Sequence, residues 1–365
     1  MSNVSNIPKT MKALRLHEFG SDYRLDHDVS VPLDLGDYDV LIAIKSAGFC
    51  HTELLIRDGL ARPTPKQLPL IPSHEPAGII VAMGKKVSDE YKIGDRVGAI
   101  NFYNACANCP DCLNDNNIYC ENYDGTGISI DGAFAEYQKA DSRWLVPLPD
   151  ELSFQDAAPL MCAGLTAFSA IEKCALKKGQ IIGIIGLGAL GHLAVQFAKC
   201  MGLKVVAIDN RQEALDVVQK LKHTPDLIID SSKINEENAI EQIKTLQSST
   251  KDVYTGVDAT IIMAEPVKAY TYALNITRKH GTMIAVGIPR EPVPIHVVDI
   301  IIRNITIKGS LIGDVECARR MVKFVVDHGI QGEIKCYTLE EAADNLIKDF
   351  NRPDMKGKLV VNVSA

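Results

Sequence analysis

The 365-residue sequence has no surplus of basic residues: 39 Lys and Arg stand against 46 Asp and Glu, a formal charge of −7. Without a Lys/Arg block to neutralise phosphates, nucleic acid is not an expected partner. No run reaches the roughly 18 unbroken apolar residues of a membrane span, so no membrane helix is expected. The opening MSNVSNIPKTMKAL lacks an apolar core and its first basic residues are Lys9 and Lys12. Neither a secretory signal nor an Arg-rich transit peptide fits that pattern, and the chain reads as cytoplasmic with a polar tail through Thr10. Aromatic residues are sparse at 6%, with Trp144 the single tryptophan, and there is no internal repeat.

Apolar residues make up 46% and charged residues 23%, which suits a folded chain and excludes a disordered one. Domains usually hold about 100 to 200 residues, so two are expected. From Met11 to Trp144 short apolar runs (VLIAIK, AGIIVAM, DRVGAI, AFAEYQ) are broken by Gly, Pro and Asp, as in a region of small β-structure. The texture changes near Leu160. IIGIIG, KVVAID, DLIID, GVDATII and GTMIAVG then alternate with helical stretches, which implies a parallel sheet covered on both faces. From Gly313 the chain holds two helical patterns and a closing strand, KLVVNV.

Gly186, Gly188 and Gly191 form a GxGxxG run between the buried strand IIGII and an amphipathic helix. The first glycine permits a tight turn, the second lets the backbone approach a pyrophosphate, and the third lets helix and strand pack closely. The next strand ends at Asp209, about 20 residues further on, where an acid accepts hydrogen bonds from the ribose hydroxyls. A carboxylate there repels a 2′-phosphate and favours NAD over NADP. Arg211, two positions on, softens that repulsion or stands as a solvated residue of the following helix.

Ten cysteines in a reducing compartment favour metal ligation or burial over disulfides. Cys106, Cys109, Cys112 and Cys120 have the spacing C-x2-C-x2-C-x7-C, a closed four-thiolate set suited to a structural zinc, with an iron–sulfur cluster as the alternative. Three further pieces carry candidate ligands: GFCHTE around Cys50, PSHEPAG around His74 and MCAGLT around Cys162. Cys174, Cys200, Cys317 and Cys336 have no ligand-like spacing.

With these motifs the chain resembles the zinc-dependent medium-chain alcohol dehydrogenases, in particular their yeast-type tetrameric branch, from Met11 to Ser364. The resemblance implies an α/β fold: a Rossmann doubly wound parallel sheet at 163–312, inserted in a GroES-like, mainly β catalytic domain made of 1–162 and 313–365 with a zinc lobe near 101–125. It assigns Cys50, His74 and Cys162 to a catalytic zinc, a Cys2His set known for these enzymes that leaves a fourth position open, and the four-cysteine lobe to a second zinc. Two Zn2+ per chain, NAD, a small alcohol or ketone substrate and a homotetramer follow from the same likeness. Thr52 matches a hydroxyl that starts a proton relay, Glu53 a carboxylate that orients the His ligand, and Glu75 a carboxylate close to the metal. His51 and Lys358 match contacts to the coenzyme pyrophosphate. Leu190, Val286 and Ile288 match residues packed around the nicotinamide, and Thr166 one behind its ring.

The sequence departs from that pattern in places. Leu55 stands where many relatives have a relay His, so the proton path is expected to finish through Thr52, the ribose hydroxyl and water. The stretch after Cys50 lacks a tryptophan that narrows the ethanol pocket, and Asn101, Phe102 or Tyr103 occupies the region of the other narrowing aromatic. A roomier pocket suited to secondary or bulky alcohols and ketones is expected, with an ethanol-type enzyme as the alternative. Ser73 and Pro76 replace glycines common beside the His ligand. A zinc-free reductase and a non-catalytic NAD-binding protein on the same fold compete less well, because every ligand is present.

Overall fold

The computed structural model describes residues 7–247 and 254–363. The chain divides into two compact units: Met1–Ala163, Asp314–Val326 and Ile334–Ala365 form one, and Gly164–Gly313 with Asp327–Glu333 the other. The short return of Asp327–Glu333 to the second unit was not foreseen. Two side chains of the helix Gly191–Cys200 hold it there: Gln196 donates to the Gln331 carbonyl at 2.7 Å, and His192 Nε2 accepts from Glu333 N at 3.1 Å.

The first unit is built on a sheet in the order Ile334–Thr338, Lys358–Asn362, Asp39–Phe49, Pro76–Met83, Arg96–Ala99 and Leu145–Pro147, with Tyr137–Asp141 also paired to Asp39–Phe49. The long strand Asp39–Phe49 is buried almost throughout, consistent with its Val, Leu, Ile and Ala content. Phe49 stacks on Phe134 with centroids 6.3 Å apart and meets Phe350 edge-on at 5.3 Å. Register brings three strand ends together. Ala47 pairs with Pro76 and Leu359 with Phe49, so Cys50, Glu75 and Lys358 emerge side by side.

The second unit holds six strands, all parallel, in the spatial order Leu227–Asp230, Lys204–Asp209, Ile181–Ile185, Val257–Ile262, Thr277–Ala285, Thr306–Gly309. In sequence numbering that order is 3-2-1-4-5-6, the doubly wound Rossmann arrangement that the family resemblance implies, on the parallel sheet expected from the strand–helix alternation. Ile181–Ile185 is buried at every position, as a central strand covered on both faces must be. The sixth strand and the helix Val297–Arg303 before it were not foreseen, because neither has a buried face to impose a period: Val297, Ile301 and Ile302 are exposed, as is the whole strand. No helix among the described residues is long and apolar enough to cross a membrane.

Candidate active site

Cys50, His74, Glu75 and Cys162 each present a ligand atom, and these four atoms lie within 4.8 Å of one another. Each comes from a structural boundary. Cys50 caps the helix His51–Arg57, where its N–H donates to Glu53 Oε2 at 2.6 Å. His74 and Glu75 precede the strand Pro76–Met83. Cys162 lies in the π turn Leu160–Gly164, which begins after Pro159, a residue with no N–H to continue the α-helix.

Glu53 spans two of these pieces. Its other oxygen, Oε1, lies 2.7 Å from His74 Nδ1, which places the second ring nitrogen, Nε2, as the ligand atom and fixes the tautomer. Glu53 is fully buried, and its carbonyl accepts from the buried Tyr23 hydroxyl at 2.6 Å. Burial opposes charge on His74, but Glu53 and Cys50 outweigh it and raise the imidazole pKa well above its usual value. The hydrogen bond from Cys162, with Lys358 and His74 nearby, carries the Cys50 thiol well below its usual range despite burial. A half-buried thiolate, a second thiol and an oriented imidazole make a borderline-soft donor set that fits a divalent zinc ion.

Lys358 lies deeper than a coenzyme contact was expected to lie. It is 2% exposed and its Nζ sits 2.6 Å from Glu75 Oε1, so the ammonium is engaged at the ligand cluster. Burial pushes the Glu75 carboxyl up to about 7 even with Lys358 beside it. Glu75 Oε2 has no hydrogen-bond partner and lies over the backbone of Gly48: a Cβ at that position would overlap Oε2 and stand 2.9 Å from the carboxyl carbon. The sequence signals for this arrangement are a Lys heading an otherwise apolar strand and a Gly two residues before the Cys ligand; neither was read in that way.

Around the cluster, Thr52 Oγ1 lies 3.9 Å from Cys50 Sγ. His51 stands edge-on to Phe350 with ring centroids 6.2 Å apart. Leu55 packs against the hydrophobic core. Ser73 adopts φ 76°, the left-handed region that a glycine would occupy without strain, and its hydroxyl donates to the Gly48 carbonyl at 2.8 Å. Of the three candidate pocket residues, two are committed elsewhere. Phe102 packs between Tyr123 and Trp144, with centroids 4.7 and 4.8 Å away, and the Tyr103 hydroxyl donates to Asp39 at 2.9 Å.

The ligand atoms of Cys106, Cys109, Cys112 and Cys120 likewise lie within 4.8 Å of one another. All ten cysteines are free of disulfides. The backbone of Asn108 brings the Cys106 thiol down to about 6, a state ready for a cation.

In the second unit Gly186 has φ 91°, and a Cβ on Gly191 would overlap the Gly186 carbonyl oxygen, so the turn demands glycine at both positions. Asp209 Oδ2 accepts from Leu187 N at 2.7 Å and ties the turn to the adjacent strand end. Thr166 is buried, Leu190 and Val286 are half-buried, and Ile288 is exposed.

Residues 36–150 match the family model for the alcohol dehydrogenase GroES-like domain, and residues 189–327 that for zinc-binding dehydrogenase. An alcohol dehydrogenase of Geobacillus stearothermophilus is 34% identical over 356 residues, covering 97% of this chain and 100% of the relative. One from Schizosaccharomyces pombe is 33% identical over 78% of each chain. Among solved structures, the alcohol dehydrogenase of the archaeon Aeropyrum pernix has a TM-score of 0.83 at 27% identity, covering 96% of this chain and 100% of its own. With two matching family models and a full-length relative at this identity, the chain belongs to the zinc-dependent medium-chain alcohol dehydrogenase family.

Proposed function

We propose that the protein is an NAD-linked alcohol dehydrogenase and ketone reductase holding two zinc ions per chain, acting on secondary or bulky alcohols and their carbonyl partners. The observation that carries this reading is the convergence of Cys50, His74 and Cys162 beside Glu75. When bound, zinc supplies Lewis acidity at the substrate oxygen and the nicotinamide accepts or returns the hydride. The chain supplies position and proton handling. Cys50, His74 and Cys162 hold the metal, and Glu53 orients the imidazole through Nδ1. Thr52 Oγ1 would accept a hydrogen bond from the substrate hydroxyl and, on gaining that proton, pass on its own; with Leu55 in place of an imidazole, the coenzyme ribose and water would be the onward acceptors. Cys106, Cys109, Cys112 and Cys120 hold the second, structural zinc.

Gly186, Gly188 and Gly191 admit the coenzyme pyrophosphate, with His51 as a further donor, and Asp209 accepts the adenosine ribose. Leu190, Val286, Ile288 and Thr166 surround the nicotinamide. Commitment of Phe102 to Trp144 and Tyr123, together with the absence of tryptophan from the stretch after Cys50, supports the roomier pocket. Exposed Val297, Val298, Ile301 and Ile302 on one helix support assembly, read here as a tetramer.

Metal analysis is expected to find two zincs per chain, and kcat/KM for 2-alkanols and aryl ketones to exceed that for ethanol and acetaldehyde. A clear preference for ethanol refutes the substrate assignment, and one zinc per chain refutes the catalytic site. Light scattering that finds a dimer refutes the tetramer.

A further inference from the structure

The acid closing the strand Lys204–Asp209 is already heavily engaged. Its Oδ2 accepts from Leu187 N at 2.7 Å, and Oδ1 accepts from Asn210 N at 2.8 Å and Arg211 N at 2.9 Å. A carboxylate offers about four acceptor positions, so three backbone N–H groups leave room for one more donor. Those donors also offset part of the negative field that disfavours a phosphate beside the acid.

A cation stands next to it. The Arg211 side chain is 40% exposed, and its Nε lies 3.5 Å from Asp209 Oδ1, longer than a hydrogen bond of ordinary geometry. The guanidinium extends over the glycine turn: Nη2 lies 3.4 Å from where a Cβ on Gly188 would stand. A planar five-donor fork is the side chain best matched to a phosphate. It sits here between the turn that admits the pyrophosphate and the acid that accepts the ribose.

We propose that Arg211 is a contact for a phosphate on the adenosine ribose, so that the coenzyme site takes 2′-phosphorylated nicotinamide dinucleotide as well as the unphosphorylated form. The inference rests on the coenzyme assignment above and deepens it. Asp209 serves a free 2′-hydroxyl with its remaining acceptor position; Arg211 serves the phosphate when one is present. Residue type at 211 then sets the discrimination, and the acid alone does not.

Two groups of the coenzyme, the pyrophosphate and the 2′-phosphate, have the chemistry to engage this guanidinium, and calorimetric titrations separate them. ADP carries the pyrophosphate without a 2′-phosphate, and adenosine 2′,5′-bisphosphate the reverse. Wild type, Arg211→Ala and Arg211→Lys, all zinc-loaded, are titrated with both probes and then with NAD and NADP. Wild type is expected to bind the two coenzymes within about tenfold of each other. Arg211→Ala is expected to weaken the bisphosphate about tenfold or more, as loss of one charge-assisted hydrogen bond implies, and ADP by less than about threefold. Arg211→Lys should fall between, keeping charge and losing the fork. Retained ADP binding reports an intact turn in each variant. A hundredfold preference for either coenzyme, unchanged bisphosphate binding in Arg211→Ala, or equal weakening of both probes overturns the inference. Tight NAD and ADP binding with no bisphosphate binding overturns it alone, whereas failure of all four ligands overturns the coenzyme assignment with it.

Discussion

Replacing Lys358 by Met removes one half of a buried ion pair while roughly keeping the volume of its stem. Nζ and Glu75 Oε1 are 2.6 Å apart, and the two side chains are 2% and 0% exposed. Deleting one partner of such a pair costs about 3–5 kcal/mol, because the other charge stays behind without water, and the expected cost here is about 3 kcal/mol. The lower end applies because Glu75 has an escape. Burial already holds its carboxyl at about 7, and loss of the ammonium raises it further, so the group takes up a proton instead of remaining charged. The sign follows from linkage: a raised carboxyl pKa gives stability that is fully present below the ordinary value of 4.5 and lost as pH rises through about 7. The cost of Lys358→Met should therefore be largest near pH 8 and shrink toward pH 6. A Glu75→Gln second change removes the stranded charge and should restore most of the loss, a non-additivity that a double-mutant cycle reads directly. Trp144 is the sole tryptophan, 3% exposed and in the same unit, so its fluorescence follows this unit through denaturant unfolding even if the other unit unfolds separately. The comparison is made on metal-free protein, the state in which Glu75 has this ionisation, because a bound cation in the same cluster would shift it and would itself add to apparent stability. A single-variant cost below about 0.5 kcal/mol, or a double variant that merely sums the singles, refutes the ion-pair reasoning.

Gly48→Ala drives a methyl group into Glu75 Oε2, and overpacking of a fully buried site should cost about 2–3 kcal/mol and lower zinc content; wild-type denaturation with full metal occupancy contradicts the close approach. Cys112→Ser should remove one zinc per chain and alter Trp144 fluorescence, because Phe102 connects the base of the lobe to that ring; an unchanged metal count refutes the four-thiolate site. In zinc-loaded native protein Cys336, which is exposed, should alkylate first, while Cys174, buried and pushed up to about 12, stays unlabelled until unfolding; mass mapping in the reverse order refutes that ranking.

Much of the architecture was written in short-range patterns. Ile181–Ile185 followed by three spaced glycines and an amphipathic helix states its own geometry, since each glycine answers a local demand for a turn or a close approach. The parallel sheet follows because buried β-branched runs alternating with helices have few other ways to cover both faces. The four-cysteine lobe was equally plain, because its ligands lie within 15 residues of sequence. The helix Val297–Arg303 and the strand Thr306–Gly309 were missed for the opposite reason. Their apolar residues face outward, so burial on this chain imposes no period on them.

The same physics explains why the second ligand cluster needed a resemblance to be assembled. Cys50, His74 and Cys162 are separated by long stretches whose folding no local pattern encodes, and strand register alone aligns the Cys50, Glu75 and Lys358 ends. Lys358, at the head of KLVVNV, matched a pyrophosphate contact in sequence, and its burial is not legible there because its charge is tolerated inside by the Cys50 thiol and by a carboxylate 283 positions away. Gly48 is silent in the same way: its missing side chain matters because a carboxylate contributed by another strand occupies the space. Ligands can be recognised one at a time by residue type, whereas the groups that hold them in place are defined by the register between strands. That is why Glu75, Lys358 and Gly48, and not the candidate zinc ligands themselves, are where substitution tests the structure most severely.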